Sequence, residues 1–251
     1  MKKLKILVFD DSEIHRKTAK LTLEGHDLTI VGTYDEAQEA LLPVRDDRKA
    51  ERILPELLEK AGLVRDFDPY EKNKDATKAY KTKYRLANDK ARDLATTYPD
   101  FDVVMTDLLV PASRQAQGGE GERLVGQEMP LGTTIALLAL SAGVRNVAVV
   151  TDKNHHHHPA SAALDCFGMN RLPGVNILCT NNVGYVQTDE ATGKPVSDDF
   201  LKSEAGIKKY PYPEGQTWGE RKGLVLIKGK DWGDILNSLL SDNTGEIFPK
   251  P

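Results

Sequence analysis

The chain predicts an α/β protein built on a doubly wound parallel sheet. Short apolar runs of strand length, Leu4–Phe9, Leu28–Gly32 and about 101–106, recur along it. Between the first two and after the second lie stretches with helical spacing, and strand-helix-strand-helix order means parallel neighbours joined by right-handed crossovers. Two of the runs also end in carboxylates: Asp10 and Asp11 close the first, and Asp107 closes the third. The carboxyl ends of the strands form the ligand crevice of such a sheet.

The first run is apolar throughout, as a strand buried on both faces should be. Ser12 stands where it can cap a helix over about 12–24, with Ile14, Ala19, Leu21 and Leu23 among its apolar positions and Gly25 ending it. After the second strand, Thr33-Tyr34-Asp35-Glu36 matches a capping box and opens a short helix through about Leu42.

Residues 43–98 break this rhythm and read as an inserted helical hairpin. Ile53, Leu54, Leu57, Leu58 and Ala61 form one stripe, while Tyr80, Tyr84, Ala87, Ala91, Leu94 and Tyr98 recur at alternating steps of four and three, a coiled-coil-like seam. Asp66-Phe67-Asp68-Pro69 suits the turn between two helices. The arm either packs on itself alone or binds a partner.

The third strand leads into a polar, glycine-rich insertion, 112–129, placed as a lid beside Asp107. A helix over about Leu131–Ala142, a strand over Val144–Val150 and a short helix over Pro159–Phe167 are expected next. Val175–Cys179 and Leu224–Ile227 read as strands, with an irregular insertion at about 180–222 that includes a hairpin around Thr192-Gly193. Asp231–Leu240 reads as a final helix with Trp232, Ile235, Leu236 and Leu239 facing the core.

Composition narrows the function. The 251 residues are 39% apolar and 29% charged, which suits a folded domain with a real core. A formal net charge of −4 argues against general nucleic-acid binding. No apolar stretch is long enough to span a bilayer, and the segment after Lys2 and Lys3 runs into Asp10-Asp11 as a strand rather than a signal peptide. Cys166 and Cys179 do not make a disulfide framework, so a reducing, cytoplasmic setting is expected. Three acids converging on one crevice repel each other unless a cation sits among them. Oxygen ligands favour a hard divalent ion, Mg²⁺, and so phosphate chemistry.

Four segments in sequence, Ile6-Leu7-Val8-Phe9-Asp10-Asp11-Ser12-Glu13, Asp102-Val103-Val104-Met105-Thr106-Asp107-Leu108-Leu109-Val110-Pro111, Val147-Ala148-Val149-Val150-Thr151 and Leu224-Val225-Leu226-Ile227-Lys228, make the chain resemble the receiver domain of two-component response regulators. The resemblance covers the scaffold but not the insertions. It implies a flavodoxin-like topology, in one receiver-like domain over 1–251. It implies Asp107 as phosphoacceptor, with Mg²⁺ held by Asp10, Asp11, Asp107 and the carbonyl of Leu109. Lys228 would pair with the phosphoryl group and Thr151 would donate a hydroxyl to it. The partners implied are a histidine kinase or phosphotransfer protein as donor and an output protein reached by docking. Such a protein catalyses its own phosphorylation and slow dephosphorylation rather than turning over a metabolite.

Three positions depart from the family pattern. Asp152 stands where a small residue is usual, Gly229 replaces the proline after the lysine, and Val225 replaces the aromatic switch residue. They keep open a pseudo-receiver that binds without being phosphorylated. A haloacid-dehalogenase-like phosphatase is a third reading, but it needs Asp-x-Asp where this chain has Asp10-Asp11-Ser12, and it leaves Asp107 without a role. If Val175–Cys179 takes the fifth place in the sheet, Lys228 lies one strand further out. His155-His156-His157-His158 follows the fourth strand and reads as a polar loop or helix lead-in before Pro159. It can also supply imidazoles to a Zn²⁺, Ni²⁺ or Cu²⁺ ion, or to the phosphoryl site.

Overall fold

The computed structural model describes residues 2–63, 74–113, 119–152, 174–182, 184–214 and 221–241. It divides into two compact units, Met1–Leu41 with Asp100–Pro251, and Leu42–Pro99.

The larger unit begins with β1 (Lys5–Phe9), α1 (Glu13–Thr22), β2 (Asp27–Val31) and α2 (Tyr34–Leu41). The capping box of α2 is reciprocal: Glu36 N–H donates to Thr33 Oγ1 at 3.3 Å, and Thr33 N–H donates to Glu36 Oε2 at 3.1 Å. Ser12 departs from expectation. Its side chain caps nothing, and instead its own N–H donates to Asp10 Oδ1 at 2.9 Å. The backbone there is used to aim a carboxylate. Gly25, in the left-handed region at φ 99°, sits in the turn beyond α1.

The smaller unit holds β3 (Val44–Arg45), α3 (Asp47–Lys60), α4 (Lys74–Leu94) and β4 (Thr96–Thr97). α3 packs on α4, and β3 pairs antiparallel with β4. Asp46 Oδ1 caps α3 through Lys49 N–H at 2.9 Å. The expected seam on α4 is buried only at its alanines, Ala87 and Ala91, whereas Tyr84, Leu94 and Tyr98 are exposed. Small side chains let two helices approach closely, and the larger ones stay outside. The turn expected at Asp66–Pro69 lies outside the described residues.

Back in the larger unit come β5 (Val103–Asp107), β6 (Val110–Pro111), a 3-10 turn (Gly119–Leu124), β7 (Glu128–Met129), α5 (Gly132–Ser141) and β8 (Asn146–Thr151). β6 and β7 pair antiparallel, so the base of the glycine-rich insertion is a closed ladder rather than an open loop. Ser113 Oγ donates to Asp35 Oδ1 at 2.6 Å, tying it to α2. Then follow β9 (Asn176–Asn181), β10 (Tyr185–Asp189), α6 (Asp198–Lys202), α7 (Glu204–Lys209), β11 (Leu224–Lys228) and α8 (Trp232–Ser241). The turn after β10 surrounds Thr192-Gly193, with Asp189 N–H donating to the Lys194 carbonyl at 2.8 Å.

Five strands form one parallel sheet in the order β2-β1-β5-β8-β9, compatible with a flavodoxin-like fold. β9 is therefore the fifth strand. β11 lies outside this sheet and pairs antiparallel with β10, so with β9 in the fifth place Lys228 is not one strand further out in the same sheet, as expected, but in a separate ladder. Strand alternation divides the core in two. Leu7, Phe9, Val104 and Val147 face α2 and α5 with Tyr34, Ile135 and Ala139. Ile6, Val8, Met105 and Val150 face α1 and α8 with Leu23, Trp232, Ile235 and Leu239. Each large apolar side chain buried this way contributes about 1.5–3 kcal/mol. β1 and β5, covered on both faces, are rigid posts for the acids at their ends. No helix among the described residues is long and apolar enough to cross a membrane. The histidine run, Cys166 and the helix expected over Pro159–Phe167 lie outside the described residues.

Candidate metal and phosphoryl site

Parallel register brings the ends of β1 and β5 side by side, with Phe9 opposite Thr106. Asp10 and Asp11 therefore follow one strand where Asp107 ends its neighbour. Their carboxylates offer oxygens all within 4.8 Å of one another, a group that can hold a metal ion. Asp10 is fully buried, Asp107 nearly so, and Asp11 is exposed.

Two of the acids, Asp10 and Asp107, are aimed by backbone N–H groups. Asp10 Oδ1 accepts the Ser12 N–H, and Arg16 Nη1 donates to the carbonyls of Asp10 and Asp11 at 2.8 and 2.7 Å. Asp107 Oδ1 accepts the Leu108 N–H at 2.7 Å. Its Oδ2 accepts no hydrogen bond among the described residues. Gly132 opens α5 against this turn, its N–H donating to the Leu108 carbonyl at 3.1 Å. A Cβ there would stand 1.8 Å from the Asp107 carbonyl oxygen, so only glycine permits the approach. Gly132→Ala is expected to displace α5 and destabilise the protein by about 2 kcal/mol. Urea unfolding measures this, and an unchanged midpoint would mean that the close approach is not needed.

The cation already in the cluster is Lys230. Its Nζ lies 2.6 Å from Asp10 Oδ2 and 2.9 Å from Asp107 Oδ1, and its side chain is 0% exposed. The ammonium also sits 5.4 Å from the centre of the Trp232 ring, within cation–π reach. Lys228, the lysine expected here, is instead the exposed last residue of β11, opposite Tyr185. Because β9 occupies the fifth place, the chain returns to the site only after β11, through Gly229 and Lys230. The local signal that could have found Lys230 is a Gly-Lys pair directly before Asp231, whose Oδ1 caps α8 through Asp234 N–H at 3.0 Å.

Thr151 ends β8 next to Val150, the register partner of Asp107, and is 2% exposed. Its carbonyl accepts the Asn182 N–H at 2.9 Å. Leu109 lies in the bend after β5, half-buried against the core. Asp152 projects past β8, with Oδ2 3.7 Å from His15 Nε2.

Burial pushes the Asp107 carboxyl up to about 6; Lys230 pulls it down and Asp10 adds to the rise. Burial raises Asp10 as well, against the opposing pull of Lys230. His15 is lowered, by burial first and then by Lys230. One ammonium does not neutralise three carboxylates. When all are ionised the cluster keeps two uncompensated negative charges, the complement of one divalent cation. An all-oxygen donor set selects a hard ion. No protein-family model, no curated protein and no solved structure matches the chain.

Proposed function

We propose that the protein is a receiver-like phosphoacceptor of a two-component phosphorelay, with Asp107 the residue that is phosphorylated. On this reading the topology is flavodoxin-like, with 43–98 an inserted helical hairpin available for docking. The supporting observation is the geometry of Asp107. Oδ1 is held by Leu108 N–H and the Lys230 ammonium, Oδ2 is uncommitted among the described residues, and Asp10 and Asp11 stand alongside. Such a carboxylate can act as a nucleophile.

The donor would be a phosphohistidine on a histidine kinase or phosphotransfer protein. Oδ2 of Asp107 attacks phosphorus, the new O–P bond forms as the N–P bond breaks, and the imidazole leaves with the electron pair. Lys230, in the role first expected of Lys228, balances charge on the phosphoryl oxygens as a point charge. Thr151, at the end of the adjacent strand, is the hydroxyl donor. Asp10, Asp11, Asp107 and the Leu109 carbonyl would hold Mg²⁺, which when bound supplies charge neutralisation at the phosphoryl oxygens. Water later hydrolyses the acyl phosphate.

Incubation with acetyl phosphate and Mg²⁺ is expected to add one phosphoryl group, located on Asp107 by mass spectrometry. Asp107→Asn should take none. Labelling elsewhere, or none in the native chain, would refute the proposal.

A pseudo-receiver is the second reading, favoured by one observation. Val225 lies exposed on β11, outside the parallel sheet, so the usual threonine–aromatic coupling has no counterpart at that position. An unchanged fluorescence or NMR signal on titration with beryllofluoride and Mg²⁺ would support it. Sustained turnover of a small phosphate ester would instead favour a haloacid-dehalogenase-like phosphatase.

A further inference from the structure

Lys230 reaches the acids from a loop outside the parallel sheet, so something other than strand pairing must fix it. The loop is pressed onto α1. A Cβ on Gly229 would lie 2.7 Å from Thr18 Cγ2, closer than side chains pack. Trp232 Nε1–H donates to the His15 carbonyl at 2.9 Å, and Gly233 N–H donates to Thr22 Oγ1 at 3.2 Å. Between these contacts the Lys230 N–H donates to His15 Nδ1 at 3.2 Å. A ring nitrogen that accepts an N–H carries no proton itself, so in the neutral imidazole the proton sits on Nε2. That nitrogen faces Asp152 Oδ2 at 3.7 Å, a charge placed to favour this tautomer.

We propose that His15 is a positioning residue that seats Lys230 beside Asp107, with Asp152 selecting the imidazole tautomer that can accept the Lys230 N–H. The proposal rests on the phosphoacceptor reading for its chemical consequence, but not for the contact itself. It gives a role to Asp152, the acid that departs from the receiver pattern. It also links the residue after Thr151 to the lysine of the site through one side chain of α1. The neutral state it requires agrees with the direction in which burial and Lys230 move His15.

Three substitutions in the full chain separate positioning from general packing. In His15→Asn, the amide oxygen takes the place of Nδ1 and can still accept the Lys230 N–H. In His15→Gln, the amide lies further out, toward Asp152, and leaves that N–H unpaired. His15→Ala removes both. Hydrogen exchange at the Lys230 amide, read by NMR, is expected to quicken at least tenfold in the Gln and Ala variants and to stay close to native in Asn. The rate of Asp107 labelling by acetyl phosphate and Mg²⁺ is expected to drop on the order of 10- to 100-fold in Gln and Ala, the scale of a misplaced reacting group. It should be restored to within a few-fold in Asn. Equal exchange at Lys230 in all four proteins, Asn losing as much as Ala, or Gln matching Asn would each overturn the proposal. If the native chain takes no label, the phosphoacceptor reading fails, while the order of the exchange rates still decides whether His15 positions Lys230.

Discussion

Lys230→Met is expected to destabilise the protein by about 3–5 kcal/mol in the absence of divalent cations, the usual consequence of removing one partner from a buried ion pair. Methionine is similar in length and equally unbranched, so little of this loss comes from packing. It comes from Asp10 Oδ2 and Asp107 Oδ1, buried oxygens that lose the ammonium 2.6 and 2.9 Å away. Two remedies remain to the variant. A carboxyl can take up a proton, and without Lys230 to pull it down Asp107 does so above the value of about 6 that it has in the native chain, so the difference should narrow as pH falls toward about 6. A divalent cation can also enter the cluster, so millimolar Mg²⁺ should recover part of the loss. Lys228→Met is the control, expected to stay within about 0.5 kcal/mol because that side chain is exposed at the end of β11. Urea unfolding of both variants with EDTA and with Mg²⁺ measures each quantity. Equal stability of native and Lys230→Met protein would mean that Lys230 does not hold the acids together.

The contrast between these two lysines shows how much of the site could be read from sequence. Features set by neighbours a few residues away were legible. Glu36 finds Thr33 three positions back, the apolar residues of Asp231–Leu240 fall on the buried face of α8, and the runs before Asp10 and Asp107 are too apolar for any place but a buried strand. The acid trio followed, because parallel strands fix which ends meet. Lys230 left only the Gly-Lys pair before the Asp231 cap, which does not tell where the ammonium goes: it pairs with Asp10 across 220 residues of chain. No local period shows that β9 takes the fifth place or that β11 turns away to pair with β10. Tyr84, Leu94 and Tyr98 misled for a related reason. Their spacing is that of a buried seam, yet spacing does not tell which members of a stripe meet a neighbour, and here Ala87 and Ala91 are the buried ones. Ser12 has the right type and position for a cap, but its side chain takes no part, and its backbone serves Asp10 instead.

Asp107→Asn should stabilise the cation-free protein above about pH 6, while removing the candidate phosphoacceptor. The folded protein raises the Asp107 carboxyl to about 6 from an ordinary 3.8, so between those values the folded state binds a proton that the unfolded chain has released. Stability from this group is therefore fully present below about pH 4 and is lost as pH rises through about 6. A shift of this size corresponds to on the order of 2–3 kcal/mol, mostly the desolvation of an acid placed close to Asp10. Asparagine keeps an oxygen where Oδ1 accepts from Leu108 N–H and Lys230, and it carries no charge at any pH. The variant's advantage in urea midpoint should thus be largest at pH 7–8 and vanish toward pH 4. Asp10 and His15 both feel the charge at residue 107, so the difference between native and variant reports that charge together with its effect on these two neighbours. Mg²⁺ should reverse the order at pH 7–8, stabilising the native chain through a carboxylate that the variant lacks, with calorimetric titration showing weaker binding by the variant. A variant no more stable than the native chain above pH 6 would mean that Asp107 is not strained by burial, and Mg²⁺ binding unaffected by the substitution would mean that it is not a ligand.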